Sequence, residues 1–156
     1  MHFKIIQLEK EPVSEEKGNY ITEYDINDDP LLNMLSDGWE EENHTETIDK
    51  IRNDLSTIGK INKVKKTFKF FKKDKIKELY IQSMEAAFEN WRKKMADNKF
   101  WMAESQLRGE VREACHIDTL IYYDGYLHSA SQFITDYLSG HIPETMHIGT
   151  IFDCHC

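Results

Sequence analysis

The stretch Lys66-Thr67-Phe68-Lys69-Phe70-Phe71-Lys72-Lys73-Asp74-Lys75-Ile76-Lys77-Glu78-Leu79-Tyr80 changes its hydrophobic period at its centre. Phe68 and Phe70 share one side of an extended chain and Lys69 takes the other, which is the period of two expected of a half-buried strand within residues 60–73. From Asp74 onward Ile76, Leu79, Tyr80, Ala87, Phe88, Trp91 and Met95 fall on one continuous stripe of a 3.6-residue period. A chain that needs both a strand with one wet face and a long amphipathic helix belongs to the α+β class.

Outward toward the C-terminus, Asp97 or Asn98 can cap a further helix carrying Phe100, Ala103, Leu107, Val111 and Ala114, so residues 74–116 are predicted to form a helical hairpin. Phe88 and Trp91 are expected to be buried against that second helix, and Gly109 permits a kink or a close approach. Residues 117–123, an Asp124-Gly125 pair and residues 126–128 match a strand, a type I′ turn and a returning strand. Ser129 or Ser131 then caps a helix through Phe133, Ile134, Tyr137 and Leu138 that Gly140 ends, and a last strand runs from about Met146 to Asp153.

Toward the N-terminus, Ile48, Ile51, Leu55 and Ile58 predict a helix over residues 45–58 with Gly59 as its stop. Asp29-Pro30 opens a short helix through Leu31, Leu32, Met34 and Leu35. Tyr20, Thr22, Tyr24 and Ile26 alternate as in a strand, residues 9–18 read as a solvated loop, and Phe3, Ile5 and Ile6 suit a first strand. The expectation is a single α+β domain over residues 1–156: a mixed or antiparallel sheet, a long helical hairpin and a C-terminal unit of β-hairpin, helix and strand. No internal repeat is visible.

The 156 residues carry a formal net charge of −8, distributed in blocks of alternating sign. Residues 9–54 hold 15 acids and 4 bases, residues 60–99 hold 13 bases and 5 acids, and residues 100–156 hold 8 acids and 2 bases. Such blocks either pair with one another or create a field that steers a charged partner. Nothing approaches the roughly 20 apolar residues of a membrane span, and the first residues lack a signal-peptide core, so a soluble cytoplasmic protein with no membrane partner is expected. Three cysteines are an odd number and argue against a disulfide framework.

Three function classes follow. In the first, the chain has no catalytic centre and binds another protein, as an inhibitor or adaptor, through the acidic segment Asp37, Trp39, Glu40, Glu41, Glu42 and Glu46. Carboxylates there would face a basic partner around an aromatic anchor. Against this stands the plainer reading of a solvated acidic approach to a helix N-terminus. In the second class, the nine lysines between Lys60 and Lys77, with Lys63, Lys66, Lys69 and Lys73 foremost, contact nucleic-acid phosphates while Phe68, Phe70 and Phe71 stack bases. The plainer reading makes the lysines guards of an edge strand and the phenylalanines core, and the shortage of arginine, 4 against 16 lysines, favours it. The third class is an enzyme with a dispersed site drawing on His116, Tyr122, Asp124 and His128.

Cofactor and metal sites are not expected. Cys115, His116, His128, His141, His147, Cys154, His155 and Cys156 crowd the C-terminal end without zinc-finger spacing, although Cys115 or His116 can in principle meet Cys154 or Cys156. Glu-x-x-His occurs at Glu41/His44, Glu113/His116 and Glu144/His147, but only Glu113/His116 falls in a predicted helix, where a di-iron site needs two. No nucleophile elbow, Walker A loop or dinucleotide-binding glycine motif is present.

Overall fold

A computed structural model describes residues 2–22, 25, 38–41, 45–97 and 99–155. Seven strands form one mixed sheet: β1 (His2–Glu9), β2 (Gly38–Glu41), β3 (Gly59–Asn62), β4 (Thr67–Phe70), β5 (Leu120–Tyr123), β6 (Tyr126–His128) and β7 (Thr145–His155). Their order is β3-β4-β7-β1-β5-β6, and β2 lies beside β4 along the same edge of β7. The β1–β5 pair is parallel and the others are antiparallel. Among the described residues four helices accompany this sheet: α1 (Thr45–Leu55), α2 (Lys73–Ala96), α3 (Phe100–Arg112) and α4 (Ala130–Ser139). The expected α+β class, the α2–α3 hairpin and the C-terminal hairpin, helix and strand unit are all present.

β1 runs through the middle of the sheet, and its sequence shows why. Ile5, Ile6, Gln7 and Leu8 are fully buried in succession, so both faces of the strand are covered. Ile6 and Leu8 join Phe68, Phe70, Ile121, Tyr123 and Met146 beneath Ile51 and Leu55 of α1, Ile76 of α2, and Phe133, Ile134 and Tyr137 of α4. Ile5 joins Ile21, Leu120, Tyr122 and Phe152 on the other face. Phe70 and Tyr137 stack with ring centroids 4.0 Å apart, and the Tyr137 hydroxyl donates to the Phe71 carbonyl at 3.0 Å.

Local signals place the C-terminal unit as expected. Asp124 and Gly125 both take the positive φ, 52° and 82°, that a type I′ turn requires. The Ser129 hydroxyl accepts from the Gln132 N–H at 3.3 Å, and Gly140 ends α4 in the left-handed conformation.

Four expectations need correction. Residues 20–22 are not a strand. The Thr22 N–H and hydroxyl both donate to the Asp25 carboxylate, at 2.7 and 2.8 Å, in the manner of a helix-capping box, and Asp25 is helical. These two bonds hold the Asp25 carboxyl below the usual range. Ile21 reaches the sheet through side chains instead. Its N–H donates to Gln7 Oε1 at 3.4 Å and its carbonyl accepts from the Thr150 hydroxyl at 2.9 Å.

Phe88 is 52% exposed and Trp91 only half-buried. α2 has 24 residues and contributes nothing beyond Met84 to either buried cluster, so its C-terminal half rests on α3, and a two-helix interface covers a narrow stripe. Gly109 serves no close approach, since a Cβ there would meet nothing within 4 Å, and α3 runs from Phe100 to Arg112 as one helix. Finally, Gly38–Glu41 is a strand where a loop is expected. The predicted helix at Leu31–Leu35 lies outside the described residues.

Candidate functional site

The lysine-rich segment folds as the β3–β4 hairpin at one end of the sheet. Phe68 and Phe70 point into the core, and the opposite face carries Lys60 and Lys69, which are direct cross-strand partners. The Asn62 side chain shapes the turn by accepting from the N–H groups of Val64 and Lys65 at 3.1 and 3.0 Å. Lys60, Ile61, Asn62, Lys63, Lys65, Thr67, Lys69 and Thr145 line an open groove of about 640 Å³, with no carboxylate among these lining residues.

Two of the four groove lysines are paired at the rim. Lys63 meets Asp49 at 3.0 Å, which holds the Asp49 carboxyl low, and Lys69 meets Glu144 at 3.1 Å. Lys60 and Lys65 have no carboxylate partner among the described residues. Of the four lysines singled out from sequence, the groove gathers Lys63 and Lys69. Lys66 sits in the turn, where its carbonyl accepts from the Ile148 N–H, and Lys73 donates to the Leu138 carbonyl of α4 at 3.3 Å. The phenylalanines are not available for stacking: Phe68 and Phe70 are core, and Phe71 is half-buried with the Lys75 ammonium 3.8 Å from its ring centre.

The second exposed feature is the free end of the α2–α3 hairpin. Phe100, Trp101 and Met102 are all exposed, Trp101 at 79%, and Phe88 adds a fourth apolar side chain further along α2. Around them Arg92 pairs only loosely with Glu89 at 3.9 Å, and Lys93, Lys94 and Lys99 have no carboxylate partner among the described residues. The sequence reading missed Trp101 and Met102. Three successive large apolar residues on a helix point about 100° apart and cannot share one buried stripe. That run was the available signal.

The acidic segment is only partly visible. Trp39, Glu40 and Glu41 lie on β2, in register with Cys154, Asp153 and Phe152 of β7, and Glu46 lies in the first turn of α1. Asp37 and Glu42 fall outside the described residues.

The residues named for an enzyme do not converge. Tyr122 faces the Ile5 cluster and Asp124 occupies the hairpin turn. His128 lies against Tyr123, its Nε2 3.2 Å from the Tyr123 carbonyl and its Nδ1 3.7 Å from Asp136. His116 instead lines a separate cavity of about 390 Å³ with Ser83, Asn90, Glu110, Glu113 and Asp118. Beside it Cys115 and His116 both hold left-handed φ values, 63° and 59°, and the Cys115 N–H donates to the Ser83 hydroxyl at 2.9 Å. The Cys115 thiol is buried and its pKa is pushed up, the opposite of an activated nucleophile.

Among the described residues, no three His, Cys, Asp or Glu side chains are grouped to hold a metal ion. Nor is any described helix long and apolar enough to cross a membrane. Glu113 and His116 both lie beyond the end of α3, in its C-cap and the 3-10 turn that follows, and Glu144 and His147 flank the start of β7, so neither pair makes the helical constellation of a di-iron site. No family model matches the chain, and no curated protein or solved structure is significantly similar to it.

Proposed function

We propose that the protein acts by binding another protein, as an adaptor or inhibitor, and that the free end of the α2–α3 hairpin is the contact surface. The observation that carries this reading is the exposure of Trp101, with Phe100 and Met102, on an element that the rest of the fold does not cover. Tryptophan, phenylalanine and methionine are enriched at the centres of protein interfaces, where a few large side chains supply most of the binding energy. Lys93, Lys94 and Lys99, which have no carboxylate partner among the described residues, point to the complementary chemistry: an apolar recess rimmed by carboxylates. This moves the expected surface from the acidic segment, whose middle is built into the sheet, to the hairpin.

The test is affinity capture from the source cell with three baits: wild type, Trp101→Ala and a Glu40→Lys/Glu41→Lys pair. A protein retained by the wild type and the reversal pair, lost with Trp101→Ala, and shown with purified components to bind at least about 30-fold more weakly to that variant (~2 kcal/mol) supports the proposal. Loss with the reversal pair alone would move the surface back to the acidic segment. Binding of wild type to phosphatidylserine vesicles, abolished by Trp101→Ala, would assign the hairpin to a lipid surface and overturn it.

A further inference from the structure

We infer that the groove of the β3–β4 hairpin is a second, independent surface that binds the phosphate backbone of duplex nucleic acid without reading its sequence. Four lysines and no carboxylate are among its lining residues, Asp49 and Glu144 meet two of those lysines from outside the lining, and Asn62, Thr67 and Thr145 add neutral hydrogen-bonding groups for phosphate oxygens.

Edge-strand protection alone does not account for this arrangement. A single lysine on β3 guards an edge. Here a second lysine, Lys69 on β4, stands directly opposite Lys60, where like charges oppose folding, and the groove extends to Thr145 on β7. A bound polyanion offsets that repulsion by supplying Lys60 with the counter-charge that Glu144 already gives Lys69. Among the described residues Lys60 and Lys65 have no carboxylate partner, whereas Lys63 and Lys69 are already tethered by Asp49 and Glu144.

The aromatic side chains decide between duplex and single strand. Single-strand surfaces interleave cations with exposed rings on which bases stack. In this hairpin Phe68 and Phe70 are turned into the core, and the groove presents no ring. What remains is charge and hydroxyl chemistry, which is recognition of the backbone. A duplex offers one negative charge per about 1.7 Å of axis, the denser target. Arginine, the residue that forks onto base edges, is absent from the lining, which fits binding without sequence preference.

The experiment is fluorescence anisotropy of a labelled short DNA duplex and of its single strand, titrated with wild type and with Lys60→Gln/Lys65→Gln at several salt concentrations. Circular dichroism and thermal melting check that the variant is folded. The expected result is salt-sensitive duplex binding, tighter than to the single strand, unchanged when the duplex sequence is scrambled. The slope of log affinity against log salt should fall by about 0.9 for each of the two lysines removed.

Absence of duplex binding at low salt, or binding that survives the lysine changes, overturns the inference. So does preferential single-strand binding lost with Trp101→Ala, which would place the nucleic acid on the helical hairpin. Equal binding and full competition by poly-glutamate would identify an acidic protein as the occupant. Salt-sensitive self-association by sedimentation, abolished by the lysine changes, would assign the groove to the acidic residues of a second copy. Because Trp101 lies on the other hairpin, its variant leaves groove binding intact, and the two surfaces stand or fall separately.

Discussion

The two hairpins of this protein dispose of their aromatic side chains in opposite ways. In the β3–β4 hairpin the alternation of a strand drives Phe68 and Phe70 to the core side and leaves the lysines outside. In the α2–α3 hairpin the helices run past the sheet, and the stripe between them is too narrow to cover Phe88, Phe100, Trp101 and Met102. A cationic run interleaved with phenylalanine is therefore apolar on the inside and basic on the outside, whereas the helical end leaves apolar and basic groups together on its surface. Periodicity tells which side of an element is apolar. Whether that side finds a partner depends on how far the element outruns the core.

Truncating one aromatic from each hairpin should give the largest difference between them. Phe70→Ala removes a ring that is 2% exposed and stacked on Tyr137, and should cost about 3 to 5 kcal/mol in urea unfolding. Trp101→Ala should change stability by less than about 0.5 kcal/mol, because an exposed side chain far from special features contributes little. A comparable loss at both positions would mean that Trp101 is covered in solution and that the hairpin end is not a free surface.

The glycines give the next contrast. A Cβ at Gly59 would run into the Phe68 ring and come within 2.6 Å of the Lys69 carbonyl oxygen, part of the backbone to which β3 is paired. Gly59→Ala should cost about 1 to 3 kcal/mol, the usual penalty for overpacking. At Gly109, inside α3, the added methyl meets nothing within 4 Å. Gly109→Ala should stabilise by roughly 0.5 to 1 kcal/mol, since alanine loses less backbone freedom than glycine on entering a helix. Thermal melting of both variants reads the two signs directly. Destabilisation by Gly109→Ala would show that α3 packs against something in solution.

How much of this was legible follows the same division. Where one residue carries its own signal, the sequence reading and the structure agree: Phe68 and Phe70 in a strand, Ser129 and Gly140 at the ends of α4, Asp124-Gly125 in the turn. Where two local signals competed, the stronger one hid. Tyr20, Thr22, Tyr24 and Ile26 alternate like a strand, but Thr22 and Asp25 have capping-box spacing, and those hydrogen bonds prevail. β2 could not be read at all, because Gly38–Glu41 has no strand-like alternation and becomes a strand by pairing with β7, distant in sequence. For the candidate surfaces the reading found the lysines but not their grouping. Lys66 is not among the groove's lining residues and the Lys73 ammonium is held by the Leu138 carbonyl of α4, placements that only tertiary structure makes.

The smallest expected effect bears on why the β3–β4 face is basic at all. Lys60 and Lys69 are cross-strand partners, so Lys60→Glu replaces a repulsion with an attraction and should stabilise the protein by about 0.2 to 1 kcal/mol at low ionic strength. The gain should shrink in high salt, because both side chains are exposed and their interaction is screened over roughly 10 Å at 0.1 M salt. The same substitution should weaken duplex binding more than Lys60→Gln does, since it adds a charge that repels phosphate. Urea unfolding at low and high salt, with anisotropy on the same samples, measures both quantities. If stability rises while binding falls, the opposed lysines are a local cost to folding that the groove's charge requires. If stability does not change, Lys60 and Lys69 avoid one another in solution, and the basic lining of the groove imposes no cost on folding.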